Sequence, residues 1–191
     1  MFINTSSKNS ISFFASLFIG LLISFTFTSK VFADALPANV QTKVDTYKKI
    51  LVEWAANPAI IQAAKAANLK GPAAGMGNAK WADLDEKDPV VLSYQNSEAG
   101  ALVTKLDNDK GISKLYLRDD KGNIVASSNK PLLFNNGSKP WVASPLKDGK
   151  PFSTTEIKPD PATQVKGVHL GVPVMSDGKA IGVLHTSVIA E

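Results

Sequence analysis

The stretch from Val165 to Ala190, VKGVHLGVPVMSDGKAIGVLHTSVIA, constrains this chain more than any other. Two runs rich in Val, Ile and Leu flank Ser176-Asp177-Gly178-Lys179, and Asp-Gly supplies the positive-φ residues that a tight hairpin turn requires. The pattern predicts an antiparallel β-hairpin with apolar residues on both faces. With Ser176 opposite Lys179, an unbroken register sets His169 opposite Thr186 on one face and Val168, Leu170, Val172 and Val174 on the other. In that register His185 falls on the face away from His169, against the N-terminal helix. Gly171, Pro173 and Gly182 interrupt the runs, which marks a bulge, a sheet edge or close approach by another backbone or a ligand.

A second hairpin is predicted from Ile112 to Asn129, turning around Asp119-Asp120-Lys121-Gly122. Between the hairpins, Phe152 to Lys158 alternates well enough for a fifth strand before Pro159-Asp160-Pro161 ends it. Helices precede the sheet. Val40, Val44, Tyr47, Leu51 and Trp54 recur every three or four residues, an amphipathic stripe that places Trp54 in the core. Pro58 restarts the helix behind an Asn57 cap, with Ile60, Ile61 and Ala64 buried. A Gly- and Pro-rich loop follows from Asn68 to Asn78. Another helix is expected over Val90 to Leu106, weakened by Gly100, while Asn129 to Lys150 reads mostly as loop. The fold class is therefore α+β: residues 38–110 mainly helical, and residues 111–190 mainly an antiparallel sheet of about five strands.

Several stretches in this order resemble the Cache domains, the extracytoplasmic PAS-like sensors of bacteria. They are Leu115 to Ser127 (LYLRDDKGNIVAS), Lys139 to Ala143 (KPWVA) and Gly171 to Leu184 (GVPVMSDGKAIGVL), with Asn57 to Asn68 and Trp81 to Asp85 similar to the family's N-terminal helical region. The resemblance covers nearly all of the chain after residue 33. It implies a small-molecule pocket over one face of the sheet, closed by the segment between the hairpins.

Residues Met1 to Ala33 hold Lys8, the apolar run Ile11 to Phe27 and Val31-Phe32-Ala33 before Asp34, the pattern of a secretory signal peptide cleaved after Ala33. The alternative is an uncleaved membrane anchor. Cleavage makes residues 34–191 a single exported domain, periplasmic or secreted. It removes Lys8 and Lys30 and no acid, so the formal charge falls from +4 to +2. The remaining basic residues are scattered singly, without interleaved aromatics, which argues against nucleic acid as a partner. With no cysteine, disulfides, thiolate metal sites and cysteine nucleophiles are excluded. The acidic run Asp83, Asp85, Glu86, Asp88 lacks the glycine and late glutamate of an EF-hand. A zinc site from His169 and His185 needs a register shift and a third ligand, so no metal and no cofactor is expected. No G-x-S-x-G or H-E-x-x-H motif occurs, and nothing points to an enzyme.

By the resemblance, Lys139 stands where amino-acid-binding members carry a basic residue, often Arg, two before a Trp. There the basic group holds a carboxylate and the Trp, here Trp141, walls the pocket. Lys offers a point charge where Arg offers a bidentate fork. His169, four residues before Pro173, matches a position where dicarboxylate-sensing relatives use Arg; the alternative is a strand histidine with a backbone or water partner. Tyr116, Arg118, Ser127 and Thr186 complete the polar face of the sheet as candidate ligand contacts. Protonation of His169 predicts that anion affinity rises as pH falls through about 6.5. The expected function is binding of a small, anionic molecule, a carboxylate above all, and signalling through a partner such as a membrane receptor or kinase. The alternatives are a structural or interaction module that kept the fold without the pocket, and an exported hydrolase. No kinase or second apolar segment follows in the sequence, so the signal is expected to leave through another protein, or through the Met1 to Ala33 segment if that stays as an anchor.

Overall fold

A computed structural model describes residues 35–161 and 164–191. The signal-peptide segment, Met1 to Ala33, lies outside the described residues. Helix α1 (Ala38–Ala55) buries Val40, Val44, Tyr47, Leu51 and Ala55, the stripe that its 3.6-residue period predicts. Trp54 is only half-buried at the margin of that stripe. Asn57 caps α2 (Pro58–Lys70), its side chain accepting from the Ala59 N–H at 2.9 Å, and Ile60 and Ala64 are buried while Ile61 is half-buried. Among the described residues no helix is long and apolar enough to cross a membrane.

The segment read as one helix from Val90 to Leu106 is two, α4 (Pro89–Gln95) and α5 (Glu98–Leu106). Ser97 breaks it by capping α5, its hydroxyl accepting from the Gly100 N–H at 3.0 Å. Gly100 is required there, because a Cβ would sit 2.3 Å from the Gln95 carbonyl oxygen. A short helix, α3 (Asn78–Ala82), carries the fully buried Trp81.

The sheet is antiparallel throughout. Strands β1 (Ile112–Asp119) and β2 (Ile124–Ser127) form the first hairpin; β5 (Lys166–Ser176) and β6 (Lys179–Ile189) form the second. The order is β2-β1-β6-β5-β3, where β3 is Phe152–Ser153, and β4 (Lys158–Pro159) also pairs with β5. The fifth strand of the sequence reading is thus two short pieces: β3 ends just before Thr154, whose N–H and hydroxyl bracket His169 as backbone hydrogen-bond partners. Within the segment read as loop, Pro140–Asp148 forms a further helix, α6, with Pro140 in its first turn and Gly149 at φ 63° closing it.

The two faces of the sheet divide by register. Leu115 and Leu117 of β1, Leu170, Val172 and Val174 of β5, and Leu184 and Val188 of β6 join α1, α2 and α5 in the main core. The opposite face carries Tyr116 and His185, paired across β1 and β6, and is covered by α6.

The second hairpin departs from the sequence reading at one point that changes its chemistry. Asp177 and Gly178 do turn the chain with positive φ, and Ser176 does pair with Lys179. Between Met175 and Val174, however, the register shifts: Met175 pairs with Ala180 but Val174 pairs with Gly182, leaving Ile181 as the extra residue of a β-bulge. A one-residue slip exchanges the faces of everything beyond it. His169 therefore pairs with Ser187, Thr186 pairs with Leu170 on the helix side, and His185 moves to the face it was not expected to occupy. Asn68, at the end of α2, holds the bulge by donating to the Ile181 carbonyl at 2.7 Å, and its Oδ1 accepts from the Asp120 N–H at 3.0 Å.

Candidate functional site

A cavity of about 370 Å³ opens between the α6-covered face of the sheet and the segment from Pro131 to Trp141. Its position follows from a missing side chain. A Cβ on Gly171 would lie 1.8 Å from the Trp141 carbonyl oxygen, so glycine alone lets the first turn of α6 rest against β5. That contact brings the Trp141 ring over His169, stacked at 3.9 Å between centroids with planes 11° apart. Lys139, the residue before α6, is exposed at the rim.

Burial lowers the pKa of His169 below the ordinary histidine value; Asp160 opposes this, and Lys158 and Lys139 add to it. The rise in anion affinity expected around pH 6.5 is therefore displaced to lower pH.

The floor is built around Arg118, which lines the cavity while exposing none of its surface. Its Nε donates to His185 Nε2 at 2.7 Å, Nη1 to the Gly122 and Phe134 carbonyls at 3.0 and 2.8 Å, and Nη2 to the Leu133 carbonyl at 3.3 Å. Among the described residues no carboxylate stands within ion-pairing distance of it. The neighbouring Asp119 carboxylate is engaged by the Lys121 and Asn123 N–H groups and the Asn123 amide. Burial pulls the Arg118 pKa down to about 9, with Tyr116 and Asp119 opposing it, so the group remains a cation at neutral pH. Burial first, then the charge of Arg118, holds His185 well below 6.5. A neutral His185 that accepts at Nε2 carries its proton on Nδ1.

Tyr116 packs beside this pair, its ring 5.2 Å from that of His185, and its hydroxyl donates to Asn129 Oδ1 at 2.7 Å. Asp160, the carboxylate that lines the cavity, is bridged to Lys114 at 3.1 Å. Lys114 reaches it from a second bulge, where its own φ is 61°.

The structure gathers six of the seven residues singled out from sequence around one cavity: Tyr116, Arg118, Lys139, Trp141, His169 and Thr186. Two of the seven are not free contacts. Thr186 turns toward the helix face and its hydroxyl donates to the Lys114 carbonyl at 2.8 Å, with that of Ser113 at 3.3 Å. Ser127 is buried opposite Tyr116 outside the cavity lining, its hydroxyl without a hydrogen-bond partner among the described residues. His185, Lys114 and Asp160 were missed. Both bulges that aim His185 and Lys114 are tertiary features; the interruptions at Gly171, Pro173 and Gly182 were the local signal of the one that aims His185.

No protein-family model matches the chain, and no curated protein matches it. Solved structures are similar at low identity. The sensor domain of the Vibrio cholerae histidine kinase DctB is 17% identical with a TM-score of 0.40, over 79% of this chain and 57% of that one. The sensory domain of the Campylobacter jejuni chemoreceptor Tlp3, with isoleucine bound, is 15% identical with a TM-score of 0.41, over 79% and 58%. The ligand-binding domain of Mlp24 with asparagine is 14% identical with a TM-score of 0.39, over 79% and 59%. The chain spans less than two thirds of the length of each. All three are described as sensor, sensory or ligand-binding domains.

Proposed function

We propose that this chain is an extracytoplasmic sensor domain of the Cache type that holds a small anionic molecule, through a carboxylate above all, and signals occupancy to a partner protein by altered contacts. One observation carries the reading: Arg118 is a fully buried cation beside a cavity, hydrogen-bonded among the described residues to neutral acceptors. A buried charge without a counter-charge is costly, and an anion entering the cavity offsets that cost. Lys139 at the rim adds a second positive charge, and the Trp141–His169 stack gives an apolar wall against which the rest of a ligand packs.

The cavity suits a molecule of a few to about ten heavy atoms. Its groups fit holding charge rather than breaking bonds: the His185 ring is committed to Arg118 and the His169 ring is stacked on Trp141, while the Thr154 hydroxyl meets only the His169 backbone N–H and, at 3.4 Å, the Glu156 carbonyl. Export by the Met1 to Ala33 segment belongs to the same reading.

Calorimetric titration of the domain with acetate, L-lactate, 2-hydroxyisovalerate and succinate tests it. Saturable binding of one of them, weakened by Lys139→Met, supports the assignment. A protein with an intact fold that binds none of them is a structural module instead.

A further inference from the structure

The partner of Arg118 is a histidine, and that choice has a consequence for ligand selection. We infer that His185 is a positioning residue that fixes Arg118 without neutralising it, so that the cavity selects molecules of net negative charge over zwitterions of the same skeleton. The inference rests on the anion-binding reading above and specifies the ligand class.

A guanidinium buried beside a ligand cavity needs its N–H groups satisfied to hold one orientation. An aspartate or glutamate at the His185 position would do this, but it would also cancel the charge. His185 supplies an acceptor with no charge: Nε2 takes the Arg118 Nε–H at 2.7 Å, while the Gly122, Phe134 and Leu133 carbonyls take the other bonds. The side chain is thus fixed at four points, and its positive charge is preserved.

The remaining charges lining the cavity divide the same way. Lys114 and Asp160 are paired with each other at 3.1 Å, whereas Arg118 and Lys139 have no carboxylate within ion-pairing distance among the described residues. A carboxylate entering the cavity meets a surplus of positive charge in a region of low dielectric, where charge interactions are strong. An amino acid brings an ammonium group into the same field and loses much of that gain.

The test pairs L-lactate with L-alanine, and 2-hydroxyisovalerate with L-valine, which exchange a hydroxyl for an ammonium on one skeleton. Affinities are measured by calorimetry for the wild type, His185→Gln and His185→Glu. Gln and Glu have the same size and both offer an acceptor oxygen, so charge is their main difference. The wild type should prefer the hydroxy acid by about tenfold or more. His185→Gln should keep that preference, and His185→Glu should lose it. Equal preference in Gln and Glu variants, or a preference for the amino acid in the wild type, overturns the inference and leaves anion binding standing. A second readout needs no ligand: the denaturation midpoint of the empty protein should be higher for His185→Glu than for His185→Gln, because only the former gives Arg118 a counter-charge. If no acid binds, the sensor reading fails, and this midpoint still decides the role of His185; equal or reversed midpoints overturn it.

Discussion

Trp141 and His169 stack in parallel, 3.9 Å apart, because Gly171 two residues further along β5 has no side chain to hold α6 away. The same glycine shapes the strand, the helix contact and the cavity wall, so each can be tested through it.

Gly171→Ala places a methyl group against the Trp141 carbonyl oxygen, a backbone atom that cannot rotate aside. We expect α6 to shift, at a stability cost of about 1–3 kcal/mol, the range for overpacking a filled interior. Two-dimensional NMR should show the Trp141 indole and His169 imidazole resonances losing their mutual ring-current shifts. An unchanged pair of resonances would mean that α6 is not seated by this contact.

Lys139→Met and His169→Leu keep much of the side-chain volume. Folding should survive in both, since Lys139 is exposed and His169 half-buried. Loss of a hydrogen bond to a charged group predicts that a bound carboxylate is weakened by about 1.5–3 kcal/mol for Lys139→Met. His169→Leu should weaken it less at neutral pH, where burial keeps the ring uncharged. Calorimetry at pH 7.5 separates the two, and equal losses would contradict a neutral His169.

Trp81, not Trp54, should be the tryptophan on which stability depends most. Trp81 is fully buried against Phe134 and Tyr94, and its Nε1 donates to the Pro131 carbonyl at 2.7 Å. It thereby anchors the segment whose Leu133 and Phe134 carbonyls hold Arg118. Trp81→Phe should cost about 1–3 kcal/mol, from the orphaned carbonyl and the smaller ring, and Trp54→Phe less than about 1 kcal/mol. Urea denaturation of the two variants compares them directly.

Stability should fall as pH drops below about 6.5. His185 and His169 both have folded pKa values below the ordinary histidine value, from burial first; Arg118 and His169 add to the shift of His185, while Asp160 opposes and Lys158 and Lys139 add to that of His169. A depressed folded pKa means that the unfolded chain takes up the proton first as pH falls. The contribution of each histidine is therefore complete above the unfolded value near 6.5 and declines below it, by up to ~1.4 kcal/mol per pH unit per proton. Denaturation midpoints between pH 7.5 and 5 should show this slope, and His185→Gln should flatten it. A midpoint that rises on acidification would reverse the sign argued here.

Asn68→Ala removes the donor that holds the Ile181 carbonyl and the acceptor for the Asp120 N–H. Losing both should cost about 1–3 kcal/mol. If the bulge then relaxes, His185 loses its approach to Arg118, which a change in the His185 imidazole shift would report. Stability and shift both unchanged would show that the bulge needs no support from α2.

Much of this architecture is legible locally. Asp177-Gly178 and Gly122 mark turns because only certain residues tolerate positive φ, and the Val40 to Leu51 stripe marks a helix because apolar spacing mirrors the helical period. The same local reading missed α6, since Pro145 inside it argues against a helix that packing on β5 and β6 nonetheless maintains.

What the sequence alone determined was the two hairpins, their turns and the helix stripe of α1. What only the tertiary structure decided was which of two adjacent residues, His185 or Thr186, belongs to the cavity face of the sheet. The turn fixes register only up to Met175; beyond it the bulge at Ile181 shifts every pair by one. That bulge is met by Asn68, over a hundred positions away in sequence, and by the close approach of Gly182 to the Arg118 carbonyl, where a Cβ would stand 2.5 Å from the oxygen. A strand has a side-chain period of two, so one inserted residue exchanges its faces, and the contacts that stabilise the insertion come from elements distant in the chain.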